Sequence, residues 1–150
     1  MRFHLIDRLE LVDPARRVRA RKVTSWAEDF WCDRGRGAEM PAPLVLEAFC
    51  QAGTWLVLAS TDFTRRAALL GIDGVTWHDP VRPGDVMTLD GTVESMSDEL
   101  AVLSGAATVD GRTVLTADAV MCALIAADEL ADPDQTRRMY AHLNPEEHTR

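Results

Sequence analysis

The sequence predicts an α+β domain in which an antiparallel sheet wraps around one central helix. Three observations predict it. One long apolar segment, from Pro43 to about Ser60, is written in helix-forming Leu, Ala, Glu and Gln. The runs before and after it change to the character of strands. Turn signals such as Asp13-Pro14 and Asp110-Gly111 join neighbouring runs closely, as antiparallel hairpins require. Strands gathered around a single helix, without strand–helix alternation, make an α+β layout.

The elements follow in order. HLIDRLELVD and RRVRARKVT read as two strands about the turn at Asp13-Pro14. SWAEDFW reads as a short turn, and 32–39 as a glycine-rich loop. Pro41 and Pro43 suit the first turn of a helix, where a missing N–H costs nothing. The helix they open is apolar nearly all round and is expected to be buried nearly all round. AALLGIDGVTWHD, VMTLDGTVESMSD, LAVLSGAATVDG and RTVLTADAVMCALIAADE read as four strands, with a tight connection at PVRPGD. The tail from Asp132 to about Asn144 reads as a polar surface helix. No linker, repeat or low-complexity segment breaks the 150 residues, so a single domain over 1–150 is expected.

Composition narrows the function. The residues are 47% hydrophobic and the net charge is −8, with a pI near 4.9. That argues against a general nucleic-acid binder. Positive charge gathers at the start, where Arg2, Arg8, Arg16, Arg17, Arg19, Arg21, Lys22, Arg34 and Arg36 stand among fewer acids. This can serve an acidic partner or simply solvate a strand face. Cys32, Cys50 and Cys122 have no metal-site spacing, which suggests reduced thiols in a cytoplasmic protein without a metal. The N-terminus lacks a signal-peptide run. The apolar stretch Leu44–Ala59 is interrupted by Glu47 and Gln51 and falls short of a bilayer span, so no membrane role is expected.

The pieces HLIDRLELVD, EDFW, MPAPLVLEAFCQAG and DPVRPGD, in this order and spacing, resemble the hotdog-fold 3-hydroxyacyl-(acyl carrier protein) dehydratases of type II fatty-acid and polyketide synthesis. The resemblance spans roughly residues 3–126. It implies a hotdog fold, a dimer, a thioester substrate on acyl carrier protein, and no cofactor. It also implies a site shared by two subunits: a histidine removes the C2 proton, a glutamate from the partner's helix protonates the departing C3 hydroxyl, and an amide at the helix start binds the thioester oxygen.

Carried over residue by residue, the acid falls on Glu47, seven positions after Met40. The amide donor falls on Ala42, which replaces a glycine and keeps its N–H. The histidine is missing. Counting back from Met40 puts Asp33 in its place; counting forward from Glu28-Asp29-Phe30 puts Arg34 there.

An apolar setting disfavours a charged carboxylate, so a buried Glu47 would suit a general acid. Read alone, a helix glutamate is more often solvent-facing; here its apolar neighbours and its place in the motif favour the acid. Gln51, one turn on, can hold that acid or serve as a core amide. Asp33 is a base only in a dry site, Arg34 stays protonated, and both read more simply as solvated loop residues beside flexible Gly35 and Gly37. His78 is the substitute base that position allows; His4, His142 and His148 lie near the termini.

The expectation is therefore a dehydratase-type subunit that keeps the acid and lacks the base. A histidine-bearing hotdog paralogue would complete its site in a heterodimer; pairing with itself would give a homodimer with no histidine at either site. Two other functions use the same residues: a thioesterase working through Glu47, and a non-catalytic hotdog protein that binds an acyl carrier or stabilises a partner.

Overall fold

The computed structural model describes residues 3–145; Arg2 and His148, named above, lie outside the described residues. Six strands form one antiparallel sheet: β1 (Arg8–Asp13), β2 (Arg17–Val23), β5 (Arg65–Trp77), β6 (Val86–Met96), β7 (Leu100–Val109) and β8 (Arg112–Ala126). Their order is β1-β2-β6-β7-β8-β5. The helix α1 (Ala42–Ser60) lies in the concave side, and α2 (Pro133–Leu143) closes the chain. The glycine-rich loop is tighter than its sequence suggested. Two short strands, β3 (Cys32–Asp33) and β4 (Ala38–Glu39), pair across it.

Local chemistry explains the joins. Asp110 and Gly111 both take positive φ, 49° and 77°, as the central residues of a two-residue hairpin turn do. The β1–β2 turn passes through Ala15, also at positive φ. Asp132 caps α2 by accepting from the Asp134 N–H at 3.0 Å, with Pro133 next in line.

Phe49 sits at the centre of the core and is 1% exposed. Room for its ring comes from a glycine pair: Gly91 of β6 lies opposite Gly105 of β7. A Cβ on Gly105 would stand 2.0 Å from the Asp90 carbonyl oxygen and 2.7 Å from the Phe49 ring. Around this point Leu56, Met87, Leu89, Leu103, Ala107 and Leu115 are buried.

Two expectations about α1 need correction. The helix was expected to be buried nearly all round. Val45, Ala48, Phe49, Ala52 and Trp55 to Leu58 are buried, but Glu47 is exposed and Cys50, Gln51 and Thr54 are half-covered. These four recur at helical spacing, so they share one stripe, and the sheet wraps the opposite side. The helix is also longer than the apolar stretch read from sequence. At 19 residues and mean hydropathy 1.4 it is long enough to cross a bilayer, yet 50% of that window is buried inside the protein. Its apolar face is used by the sheet, as in a soluble core helix.

Candidate active site

Glu47 stands on the open stripe of α1. Gln51, one turn later, fixes it: the Gln51 Nε2 donates to Glu47 Oε1 at 2.8 Å and to the Phe3 carbonyl at 3.2 Å. The Gln51 Oε1 accepts from the Leu5 N–H at 2.8 Å. One amide thus ties the N-terminal segment to the acid. Gln51 bonds both to the Glu47 carboxylate and to backbone groups of the N-terminal segment.

The expected burial of Glu47 does not occur within one chain. Its carboxylate lies on the rim of two adjoining cavities. The smaller, about 190 Å³, runs inward to Leu69, Leu103, Val120 and Cys122. The larger, about 420 Å³, is an open cleft lined by Phe3 and His4, by Arg66 and Ala67 of β5, and by Leu130, Thr136 and Met139 near the C-terminus. Gln51, Thr54 and Ala67 border both.

Two thiols face the smaller cavity. Cys50 is pushed up to about 12, first by burial, then by the negative charge of Glu47 and by Cys122. Burial also raises Cys122. Both are protonated near neutral pH and act as small apolar walls there.

The helix start faces a separate cleft of about 330 Å³, lined by Arg34, Arg36, Ala42, Trp77 and His78 among others. Pro41 and Pro43 have no N–H, and the Leu44 N–H is taken by the Pro41 carbonyl at 2.9 Å. The Ala42 N–H is left as a donor, and no acceptor for it stands among the described residues. Trp77 braces the same residue, donating its Nε1–H to the Ala42 carbonyl at 3.1 Å.

Asp33 and Arg34 are placed by the loop hairpin. Asp33 Oδ1 accepts from the Gly35 N–H at 2.7 Å and the Gly37 N–H at 3.1 Å. Both glycines have φ near 90°, so they supply the turn instead of looseness. Asp33 therefore organises the loop, and Arg34 is an exposed cation beside the cleft. The PVRPGD connection holds this loop down. Met40 N–H donates to the Val81 carbonyl at 2.8 Å, and Arg82 reaches the Arg36 carbonyl at 3.0 Å and Glu39 at 3.3 Å. His78 follows β5 rather than lying within it, and its Nε2 is 3.1 Å from Thr116 Oγ1.

The structure thus brings Glu47 to Gln51, and Arg34 and His78 to Ala42, but does not bring the two sets together in one chain. Neither Asp33, Arg34 nor His78 lines a Glu47 cavity. Sequence reasoning missed Thr54 as a site residue, though its spacing from Glu47 puts both on one face. It also missed His4, Arg66, Thr136 and Met139, which meet through tertiary packing that carries no local signal. Among the described residues no cluster of His, Cys, Asp and Glu could hold a metal ion.

A family model for the FabA-like domain matches residues 1–118. The 3-hydroxyacyl-[acyl-carrier-protein] dehydratase FabZ of Oenococcus oeni is 34% identical over 116 residues, covering 76% of this chain and 84% of that protein. The protein of the same name from Nitratidesulfovibrio vulgaris is 35% identical over 127 residues, covering 82% and 81%. Among solved structures, smu.793 of Streptococcus mutans, bound to acetyl CoA, superposes with a TM-score of 0.67 at 13% identity, covering 84% of this chain and 94% of that one. This last likeness shows the hotdog fold.

Proposed function

Because the chain belongs to the FabA-like domain family, we propose that it is the acid-donating subunit of a 3-hydroxyacyl-(acyl carrier protein) dehydratase in fatty-acid or polyketide synthesis. The observation that carries this reading is the position of Glu47. It is held by Gln51 at 2.8 Å and exposed on a stripe of α1 that the sheet leaves open, and neither Asp33, Arg34 nor His78 lines its cavities. A second protomer packed over that stripe would bury it.

The chemistry follows from that assembly. A partner's histidine takes the C2 proton of the substrate. The electron pair forms the C2=C3 double bond, and the C3 hydroxyl leaves as water with the proton of Glu47. The partner's helix-start amide steadies the negative charge that develops on the thioester oxygen. The histidine ends protonated and Glu47 ionised, and proton exchange with solvent resets both.

A homodimer would present Glu47 twice and offer Arg34 or His78 where a base is needed. Arg34 carries a guanidinium with no lone pair to accept a proton, and His78 already faces Thr116. The chain alone should therefore be slow, and a histidine-bearing hotdog paralogue should complete one site per dimer. Edge strand β5 suits such pairing, with Leu69 and Leu70 55% and 63% exposed. The test is dehydration of a 3-hydroxyacyl thioester by this chain alone and after mixing with the paralogue. Rapid turnover by the chain alone would overturn the divided site.

A further inference from the structure

We propose that α2 makes the larger Glu47 cavity selective for acyl chains carrying hydroxyl groups beyond C3. The inference rests on the dehydratase reading for the direction of the substrate. Its thioester end belongs with the helix-start cleft, so the cavities at Glu47 receive the carbons beyond C3.

The wall is a built feature. The family match ends at residue 118, before α2. Tyr140 of α2 packs on Trp55 and Phe63, with ring centroids 6.2 and 5.1 Å apart. Arg137 lies 4.8 Å over the Phe63 ring and pairs with Asp62 at 3.3 Å. These contacts fasten α2 to the end of α1 and present Thr136 and Met139 to the cavity.

The two cavities differ in chemistry. The smaller narrows inward to apolar walls at Leu69, Leu103 and Val120 and holds about six water volumes, so a chain of more than a few carbons extends into the larger one. The larger one is polar. Thr54 gives its hydroxyl proton to the Cys50 carbonyl at 3.1 Å, and Thr136 gives its own to the Asp132 carbonyl at 3.0 Å. Each hydroxyl then has lone pairs left to accept. A plain alkyl chain would strip water from these oxygens with no replacement bond. A chain hydroxyl can donate to them.

The probes are N-acetylcysteamine thioesters of 3-hydroxydecanoate and of 3,5- and 3,7-dihydroxydecanoate, titrated into the full chain by calorimetry. At least one dihydroxy probe should bind about 5-fold more tightly than the monohydroxy one, the worth of one net hydrogen bond. Thr136→Val keeps the shape and should reduce that preference without changing secondary structure by circular dichroism. Met139→Trp should weaken the dihydroxy probe by narrowing the cavity. Equal binding of all three, no binding of any, or a preference untouched by Thr136→Val would overturn the proposal. A preference that survives while the mixed assembly fails to dehydrate would sink the dehydratase reading and leave this selectivity standing.

Discussion

Replacing Gln51 by Leu should separate the N-terminal segment from the acid-bearing helix at a calculable cost. The side chain makes three hydrogen bonds, to Leu5 N–H, the Phe3 carbonyl and Glu47. Leu5 is 1% exposed, so its N–H would lose its acceptor in a place water does not reach. An orphaned buried donor costs about 1–3 kcal/mol. The two bonds donated by Nε2 are partly open to solvent and add about 0.5 kcal/mol each, the low end of the usual range. The total is about 2–4 kcal/mol, a fall of about 5–15 °C in Tm for a domain of this size. Urea unfolding at pH 7 measures it. Gln51→Glu is the informative control, because it keeps an acceptor for Leu5 N–H while removing the donor to Glu47. It should recover part of the stability and none of the hold on the acid. A loss below about 0.5 kcal/mol for Gln51→Leu would refute the argument that this residue ties the segment down.

Two further outcomes follow from the core and from the thiols. Gly105→Ala should cost about 3 kcal/mol or prevent folding, since the new Cβ meets the Asp90 carbonyl at 2.0 Å and the Phe49 ring behind it; denaturation midpoints check this, and a near-neutral variant would contradict the packing. For Cys50 the folded thiol is pushed up to about 12 from an ordinary value of 9.0, so the folded chain keeps the proton that the unfolded chain releases. That stability is present below about pH 9 and drains away as pH climbs toward 12, so wild type should lose more between pH 8 and 10.5 than Cys50→Ala does, and equal slopes would remove the effect.

The fold was largely legible because its signals are local. Alternating runs, the Asp110-Gly111 turn and the proline-flanked helix start each need only neighbouring residues to be read. The loop at 32–39 was less so, because Asp33 organises it through bonds to Gly35 and Gly37 that no periodicity reveals. Glu47 was singled out by its motif as a candidate, and its exposure was misjudged. An apolar helix looks fully buried in sequence, whereas a sheet wraps one side of it and leaves a stripe. The cavity walls from α2 lie about ninety residues along the chain from Glu47, and their meeting depends on Tyr140 finding Trp55 and Phe63. The sequence offers Asp33 or Arg34 where the family resemblance implies a histidine. That the residues at its place also stand apart from Glu47 required the three-dimensional arrangement.

The proposed division of the active site between two unlike subunits is tested most directly by crossed variants in a mixed assembly. This chain, wild type or Glu47→Gln, is mixed with a histidine-bearing hotdog partner, wild type or with its own helix glutamate changed to Gln. Dehydration of a 3-hydroxyacyl thioester is then followed by absorbance of the enoyl product. The partner's own homodimers provide the background, and the partner variant silences it. With that variant, wild-type chain should restore turnover, and Glu47→Gln in this chain should lower it about 10²-fold or more. Turnover that is indifferent to Glu47→Gln, or no restoration by the wild-type chain, would contradict the assignment of this subunit as the acid donor.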